Sequence, residues 1–249
     1  MRVGFGNEKL LEVFREVGAA LSKRIEVYLL GGGAMCFRNQ KNATKDLDLV
    51  FKNTADYAAF IKVVREIGFK EHLPIEETYK KMAAASIWQN QDGLRLDLFV
   101  KRVCNALSIS ESMEKRAETL GKYDKLVVKM VSNEDIILFK GITERPGDAD
   151  DMAVIVWMSK INWNLILNEC IYQSRKRSWY GLFYDKLSEI RERHGIDAPI
   201  KKQLLKLDRE FILKEAYENL RKESMTREKA LEILRRKGFT KNELSKTFR

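Results

Sequence analysis

The stretch LLGGGAMCFRNQKNATKDLDLVF, residues 29–51, decides the fold of this chain. It places three glycines, Gly31 to Gly33, at the end of an apolar run, and two aspartates, Asp46 and Asp48, at alternating positions. Glycine weakens both strands and helices, and two carboxylates on the same face of a strand repel each other. Because both features lower stability, we infer that they serve a function.

The segments on either side of the glycines predict alternating helices and strands. Residues 25–30, IEVYLL, are rich in strand formers, and residues 46–51, DLDLVF, alternate with a period of two. Apolar residues at helical spacing predict helices over 7–24 and 54–68, the first with Asn7 as N-cap. In the strand over 46–51, the two aspartates share one face and the apolar residues take the other.

A third aspartate, Asp97, has the same apolar neighbours as the first two. It lies in LRLDLFVKRV, which is separated from KMAAASIWQ by the turn-rich NQDG, so the two segments predict a hairpin. Residues 125–132, KLVVKMVS, predict one more strand. Three clustered carboxylates offer oxygen ligands to one or two divalent cations, most often Mg²⁺. Such ions activate an attacking oxygen and stabilise a leaving phosphate.

The glycines complete this pattern. A strand-to-helix turn without side chains lets phosphate oxygens approach backbone N–H groups. An isolated GGG is weak evidence, and so is an isolated DLD, because edge strands often carry charges on a face exposed to water. Together and in this order, the glycines and the aspartates predict a site for a metal-bound triphosphate.

After about residue 132 the pattern becomes helical. Ser132 precedes an acidic first turn, Asp148 is a second candidate N-cap, and residues 199–223 predict a long helix. We therefore predict an α+β fold, in which a mixed sheet flanked by helices is followed by a helical region. The predicted domains are an α/β domain over residues 1–132 and a helical domain over residues 133–249.

The last segment, SMTREKALEILRRKGFTKNELSKTF, predicts two short helices. Thr240 and Glu243 form the signature of a capping box for the second. Both a DNA-reading helix-turn-helix and a helical hairpin packed on the body fit this pattern. Short helix pairs are common and groove readers are few, so the hairpin is favoured.

Composition limits the classes of function. The net charge of +10 attracts polyanions, and QSRKRSW (173–179) and KKQLLK (201–206) are the local excesses that favour a nucleic-acid face. Trp179 and Tyr180 would be the aromatic partners of that face, although the tryptophans are expected mainly in the core. Three scattered cysteines and two distant histidines offer no disulfide framework, zinc site or triad. With no apolar run of about 18 residues and no secretory signal, we expect a cytoplasmic protein without a membrane partner.

The order of these motifs resembles the nucleotidyltransferase superfamily of DNA polymerase beta and the CCA-adding enzymes. In particular it resembles the small prokaryotic members found in abortive-infection and toxin–antitoxin systems. The likeness covers roughly residues 25–155 and includes a later motif, EDIILFKGITERPGDADD. The residues that carry it are Gly31, Gly32, Thr44, Asp46, Asp48, Glu134, Asp135, Lys140, Arg145, Asp148 and Asp151.

The resemblance implies roles for these residues. Asp46, Asp48 and Asp97 would be catalytic and would bind Mg²⁺ or Mn²⁺, with Asp97 helping to activate the acceptor hydroxyl. The family often has arginine before the aspartate pair, where this chain has Lys45, a poorer bidentate phosphate ligand. The third glycine leaves the register of the glycine pair open by one residue. The implied nucleotide-binding residues are Gly31, Gly32, Lys45 and Lys140.

The resemblance also implies partners. The substrate would be an NTP, and the acceptor an RNA, with the tRNA 3′ end as one candidate, or a protein hydroxyl. An antitoxin partner and a role in phage defence fit this group. The alternative is a catalytically inactive module with the same fold that binds nucleotide or RNA.

Overall fold

The computed structural model describes residues 4–72, 84–103 and 105–248. Contacts between residues divide the chain into two compact units, Met1–Asn162 and Trp163–Arg249. No helix within these described ranges is long and apolar enough to cross a membrane.

A seven-stranded mixed sheet forms the centre of the first unit, in the order β3-β4-β5-β2-β1-β9-β8. In this sheet β1 is antiparallel to β2 and parallel to β9, and β2 is parallel to β5. The remaining two strands, β6 and β7, form a separate ribbon. The strands are β1 Ile25–Leu30, β2 Asp46–Phe51, β3 Lys70–Glu71, β4 Ser86–Gln89, β5 Arg95–Val100, β6 Arg102–Val103, β7 Leu107–Ser108, β8 Glu118–Tyr123 and β9 Leu126–Met130.

Eleven helices accompany the strands in the described ranges. Those of the first unit are α1 Asn7–Ala20, α2 Gly31–Phe37, α3 Thr54–Glu66, α4 Glu111–Arg116, α5 Asn133–Gly141 and α6 Gly147–Met158. Those of the second unit are α7 Trp163–Gln173, α8 Tyr180–His194, α9 Lys201–Lys222, α10 Arg227–Arg236 and α11 Lys241–Thr247. The predicted α+β class, a mixed sheet with helices and a helical C-terminal region, is confirmed.

The central position of β2 follows from its apolar face. Leu47, Leu49 and Phe51 are fully buried, and the ring of Phe51 packs edge-on against Phe60 of α3, with 4.9 Å between ring centroids. Each such side chain contributes about 1.5–3 kcal/mol when fully buried. This packing fixes the strand in the middle of the sheet. The two aspartates lie on the opposite face of the same strand, where Asp48 is also buried and Asp46 is half-buried.

Several local predictions can be compared with the structure. The hairpin of β4 and β5 and the strand at β9 are confirmed, although residues 81–83 of KMAAASIWQ lie outside the described residues. Ser132 forms the predicted N-cap, with a full capping box to Asp135. Asn7 is not an N-cap: α1 begins at Asn7 after Gly6, and the Asn7 amide instead donates to the carbonyl of Cys36.

Helices α5 and α6 belong to the first compact unit, whereas the predicted domain boundary followed residue 132. The reason is a set of polar contacts with the loop after α2. The amide of Gln40 donates to Asn133 Oδ1 at 3.1 Å and to Ser159 Oγ at 3.2 Å, and Lys41 Nζ lies 2.8 Å from Asp151 Oδ1. The change of sequence pattern at 132 and the division of contacts at 162 are therefore different boundaries.

In the second unit, α10 and α11 pack on α9 around Leu213, Leu234 and Leu244. The capping box of Thr240 and Glu243 at the start of α11 is confirmed.

The tryptophans divide between core and surface. Trp179 is 5% exposed, as expected for a core residue, but Trp157 is 61% exposed. Tyr180 is buried like Trp179, so neither residue offers a free ring face for a nucleic-acid base.

Candidate functional site

The parallel pairing of β2 and β5 brings the three aspartates together. In the register of this pair, Asp48 lies opposite Asp97, and Asp46 lies opposite Arg95. Side chains two residues apart on a strand share a face, so all four project from the same face of the sheet. Asp48 is 9% exposed and Asp97 is 1% exposed, while Asp46 at the end of the strand is half-buried.

Burial and mutual repulsion both act on these carboxylates. Burial, followed by the charges of Asp46 and Asp97, raises the pKa of Asp48 to about 7, although Arg145 and Lys140 act in the opposite direction. Burial and the charge of Asp46 raise the pKa of Asp97 to about 6. Arg95 opposes this change, because its Nη2 donates to Asp97 Oδ1 at 2.9 Å. The site therefore holds more negative charge than its neighbours compensate.

The donor set fits a hard divalent cation. Asp46, Asp48 and Asp97 offer only carboxylate oxygens, which are the ligands that Mg²⁺ and Mn²⁺ prefer. Over the described ranges, no three Asp, Glu, His or Cys side chains are already arranged as a complete metal cluster. Asp97 is instead turned towards Arg95. A cation would supply the positive charge that this face of the sheet lacks.

The glycines make room for the polar face of the site. Gly31 has φ +57°, and a Cβ atom there would lie 2.2 Å from Oδ2 of Asp48. A Cβ atom at Gly32 would lie 2.6 Å from Oγ1 of Thr44, whereas Gly33 packs against apolar side chains of the core. The first two glycines therefore border the polar site and the third belongs to the core.

Lys140 lies at the centre of a buried charge network between α5 and α6. Its Nζ lies 2.8 Å from Asp148 Oδ1 and 2.7 Å from Asp151 Oδ2, and its side chain is 5% exposed. Thr143 Oγ1 donates to Asp148, and Arg145 Nε donates to the same carboxylate at 3.1 Å. Although burial alone would lower the pKa of Lys140, the two aspartates raise it above its ordinary value.

Asp148 is a member of this network and not a helix cap. Helix α6 begins at Gly147 after Pro146, with no side-chain capping bond. Burial alone would raise the pKa of Asp148, but Lys140 and Arg145 lower it to about 2. The carboxylate is therefore ionised under physiological conditions, and it compensates two cations beside the aspartates of the sheet.

A pocket that is open to solvent connects the two groups of charges. Its apolar wall consists of Leu30, Val103, Ile136 and Phe139. Its polar wall consists of Gly31, Asp48, Lys140, Thr143 and Arg145. An apolar wall opposite a few convergent polar groups is typical of small-molecule sites.

The structure brings most, but not all, of the predicted site residues to the pocket or to the face of the sheet beside it. Asp46, Asp48 and Asp97 share one face, and Gly31 and Lys140 line the pocket. The side chain of Lys45 is exposed.

Four further side chains that the sequence reasoning did not assign to the site stand in it: Arg95, Thr143, Arg145 and Lys41. Of these, Arg145 belongs to the motif that carries the resemblance, although no role in the site was given to it. Arg95 also had a readable signal, because it lies two residues before Asp97 and so on the same face of the strand.

We expect Asp148→Asn to lower the free energy of unfolding by about 3 kcal/mol at pH 7, because the substitution removes one partner of a buried ion pair. The folded pKa of Asp148, about 2, is below the ordinary value of 3.8. The stabilisation is therefore complete above about pH 5 and is lost as the pH falls towards 2. Urea unfolding of both proteins at pH 7 and at pH 3 measures the difference, which should shrink at pH 3.

The matched control for this experiment is Glu144→Gln, which neutralises an exposed carboxylate four residues earlier. This change should move the free energy of unfolding by less than about 0.5 kcal/mol. Equal effects of the two substitutions would contradict the role of Asp148 in the network.

Comparison with known proteins gives a family for the chain. A search of curated proteins finds no match. One similar solved structure is "Crystal structure of lincosamide antibiotic adenylyltransferase LnuA, lincomycin-bound", with 14% identity, a TM-score of 0.44, and coverage of 62% of this chain and 99% of that chain. Residues 8–193 match the model of a family described as "Nucleotidyltransferase of unknown function (DUF6036)". Because the match spans well over half of the 249 residues, the chain belongs to this nucleotidyltransferase family.

Proposed function

We propose that this protein transfers a nucleoside monophosphate from an NTP to a hydroxyl group of an RNA, with a divalent metal ion. One observation carries the proposal: Asp48 and Asp97 lie opposite each other in register, with Asp46 two residues away on the same face. The face adjoins a pocket that also contains Lys140 and Arg145. Carboxylates for a cation, next to cations for phosphate, are what nucleotidyl transfer needs.

In this proposal Asp46, Asp48 and Asp97 hold Mg²⁺ or Mn²⁺. The bound ion would polarise the triphosphate and stabilise the charge that develops on the leaving group. Asp97 accepts the proton of the acceptor hydroxyl, and the hydroxyl oxygen forms a new bond to the α-phosphorus. The bond from the α-phosphorus to the oxygen that bridges it to the β-phosphorus breaks, and pyrophosphate leaves with that electron pair.

The pocket walls support roles in nucleotide binding. Gly31 and Gly32 make room for the side chains of Asp48 and Thr44, because a Cβ atom at either position would collide with them. In this proposal the backbone of these two glycines meets the phosphate oxygens at the start of α2. Arg145, whose side chain is 42% exposed, is better placed to meet a phosphate than Lys140, which is 5% exposed and paired with two aspartates. We propose that Arg145 contacts the triphosphate directly, and that the buried charge of Lys140 offsets part of the negative charge of the triphosphate without contacting it.

The remaining nucleotide contacts follow from exposure and polarity. The side chain of Lys45 is exposed next to Asp46 and is available to a phosphate tail. The nucleobase would pack against the apolar wall that includes Leu30 and Phe139.

The acceptor is the finer part of the proposal. The net charge of +10 favours RNA, with the tRNA 3′ end as the first candidate and a hydroxyl of a partner protein as the second. A role as a toxin–antitoxin or phage-defence component in a prokaryotic cytoplasm, with an antitoxin partner, is compatible with either acceptor.

The alternative function is a binding module that holds a nucleotide or RNA without transfer. The three aspartates argue against it, because repelling buried carboxylates lower stability and a module without catalysis gains nothing from them. Tight NTP binding without transfer to any acceptor would support this alternative.

The first test is a labelling experiment. The full chain is incubated with each α-phosphate-labelled NTP, with Mg²⁺ or Mn²⁺, and with total RNA or a protein mixture. We expect label on RNA from the intact protein and at least about a 1,000-fold loss for Asp46→Ala/Asp48→Ala, which removes the metal ligands.

The control for the labelling test is Asp92→Ala, which removes an exposed carboxylate that forms a surface ion pair with Lys9. This variant should label like the intact protein. Label that persists in Asp46→Ala/Asp48→Ala would contradict the proposed role of the aspartates. Label on protein alone would show that the acceptor is a protein hydroxyl and not RNA.

Asp48→Asn separates catalysis from stability. The substitution keeps the shape of the side chain but removes a buried charge opposite Asp97, so we expect a higher melting temperature in EDTA than for the intact protein. Mn²⁺ should raise the melting temperature of the intact protein and leave that of Asp48→Asn nearly unchanged. An equal Mn²⁺ response in both would argue against metal binding at Asp48.

Gly31→Ala tests whether the glycine serves the aspartate. The new Cβ atom would force the Asp48 carboxylate to rotate, so we expect transfer to fall by at least about tenfold. Gly68→Ala is the matched control, because Gly68 also has a positive φ, +96°, but no atom within 4 Å of its Cβ position. Both variants should lose about 1–2 kcal/mol of stability, and equal transfer by both would contradict the pairing of Gly31 with Asp48.

A further inference from the structure

The net charge of the chain is concentrated in its last 29 residues. Residues 221–249 contain 10 Lys and Arg against 4 Asp and Glu, which gives +6 of the total +10. Residues 163–220 contain 11 against 9, and residues 1–162 contain 25 against 23. The basic stretches at 173–179 and 201–206 are therefore largely offset by acidic residues around them.

The basic segment folds around a small core that it shares with the end of α9. We call residues 213–248, which contain 10 Lys and Arg against 6 Asp and Glu, the C-terminal helical element. Leu213, Leu234 and Leu244 are each less than 5% exposed and pack against one another, and Phe248 stacks on Tyr217 with 4.1 Å between ring centroids. Because most apolar side chains of these three helical segments pack against this core, the charged side chains are left on the surface.

Most cations of the element are available to a partner. Arg236 pairs with Glu232, and Arg221 and Arg227 donate to the carbonyls of Met225 and Phe248, so these three are engaged within the element. Seven other cations are exposed and have no ion-pair partner in the part of the chain that the structure describes. They are Lys214, Lys222, Lys229, Arg235, Lys237, Lys241 and Lys246.

The chemistry of this surface selects the class of partner. Protein interfaces depend on buried aromatic and apolar anchors, and single-stranded nucleic acids on exposed aromatic rings. The large exposed apolar residues of the described chain all lie outside the element: Trp157, Met158, Ile171, Tyr172, Leu182, Leu205 and Ile212. Many cations without an apolar anchor fit a regular array of phosphates, which a double helix presents.

We propose that the C-terminal helical element binds the sugar–phosphate backbone of a double-helical nucleic acid without reading its sequence. The element lies beyond residue 193, where the match to the nucleotidyltransferase family ends. None of the aspartates of the candidate site takes part, so the binding does not depend on the transfer reaction.

The test uses the full chain without NTP. Fluorescein-labelled 20-base-pair duplexes of RNA and of DNA, and a 20-nucleotide single strand, are titrated by fluorescence anisotropy between 50 and 200 mM KCl. We expect both the affinity for a duplex to exceed that for the single strand and log K to fall linearly with log salt. The RNA and DNA arms identify which kind of double helix is preferred.

The decisive variant is Lys229→Ala/Lys237→Ala/Lys241→Ala. It should reduce the salt slope by about two to three and weaken duplex binding by at least about tenfold at 100 mM KCl. The control, Lys62→Ala/Lys70→Ala/Lys122→Ala, removes the same charge from exposed lysines of the first unit and should bind nearly as the intact protein does. All six positions are on the surface, and circular dichroism verifies the fold of both variants.

Three results would overturn the proposal. One is an equal loss of affinity in both triple variants, which would make net charge alone responsible. The second is tighter binding of the single strand than of either duplex. The third is binding of polyglutamate as tight as that of the duplexes, which would identify an acidic protein as the better partner. None of these results depends on whether the protein transfers a nucleotide.

Discussion

The pairing of Asp48 with Asp97 is the constraint on which the rest of the first unit depends. Two carboxylates face each other across neighbouring parallel strands, one 9% and the other 1% exposed. Such a pair costs stability in the interior unless positive charge is close. The apolar face of β2 holds the strand in the centre of the sheet, and Gly31 leaves the space into which the Asp48 carboxylate extends.

The compensation for this charge comes from a different part of the sequence. Arg95 arrives on the same strand as Asp97, while Lys140 and Arg145 arrive on the segment of α5 and α6. Asp148 in turn fixes both of those cations. The site is thus layered: carboxylates of the sheet, then cations, then the carboxylates of α6. In the proposed function a metal-bound triphosphate would enter between the first two layers, whose negative and positive groups line the same pocket.

Features of the fold and the site that depend on the spacing of nearby residues could be predicted from the sequence. Features that depend on the pairing of distant segments could not. The α+β class and the helix cap at Ser132 follow from local patterns, and the nucleotidyltransferase family follows from the resemblance of its motifs; all three are confirmed. The facing of Asp48 and Asp97 depends on the register of two strands nearly fifty residues apart, which no local pattern encodes. Aspartate is a common helix cap, and the sequence favoured that role for Asp148. In the structure Asp148 instead accepts a hydrogen bond from Lys140, and the conformation of the turn that brings the two together is not defined by the sequence alone.

The candidate site and most of the net positive charge lie in different parts of the sequence. The aspartates, the glycines and the network of Lys140 all lie within residues 8–193, where the charge is nearly balanced. The cationic surplus lies instead in a separately cored element beyond residue 193. Long-range attraction for polyanions therefore comes mainly from residues that the candidate site does not use, and the two groups of charges can be altered independently by substitution.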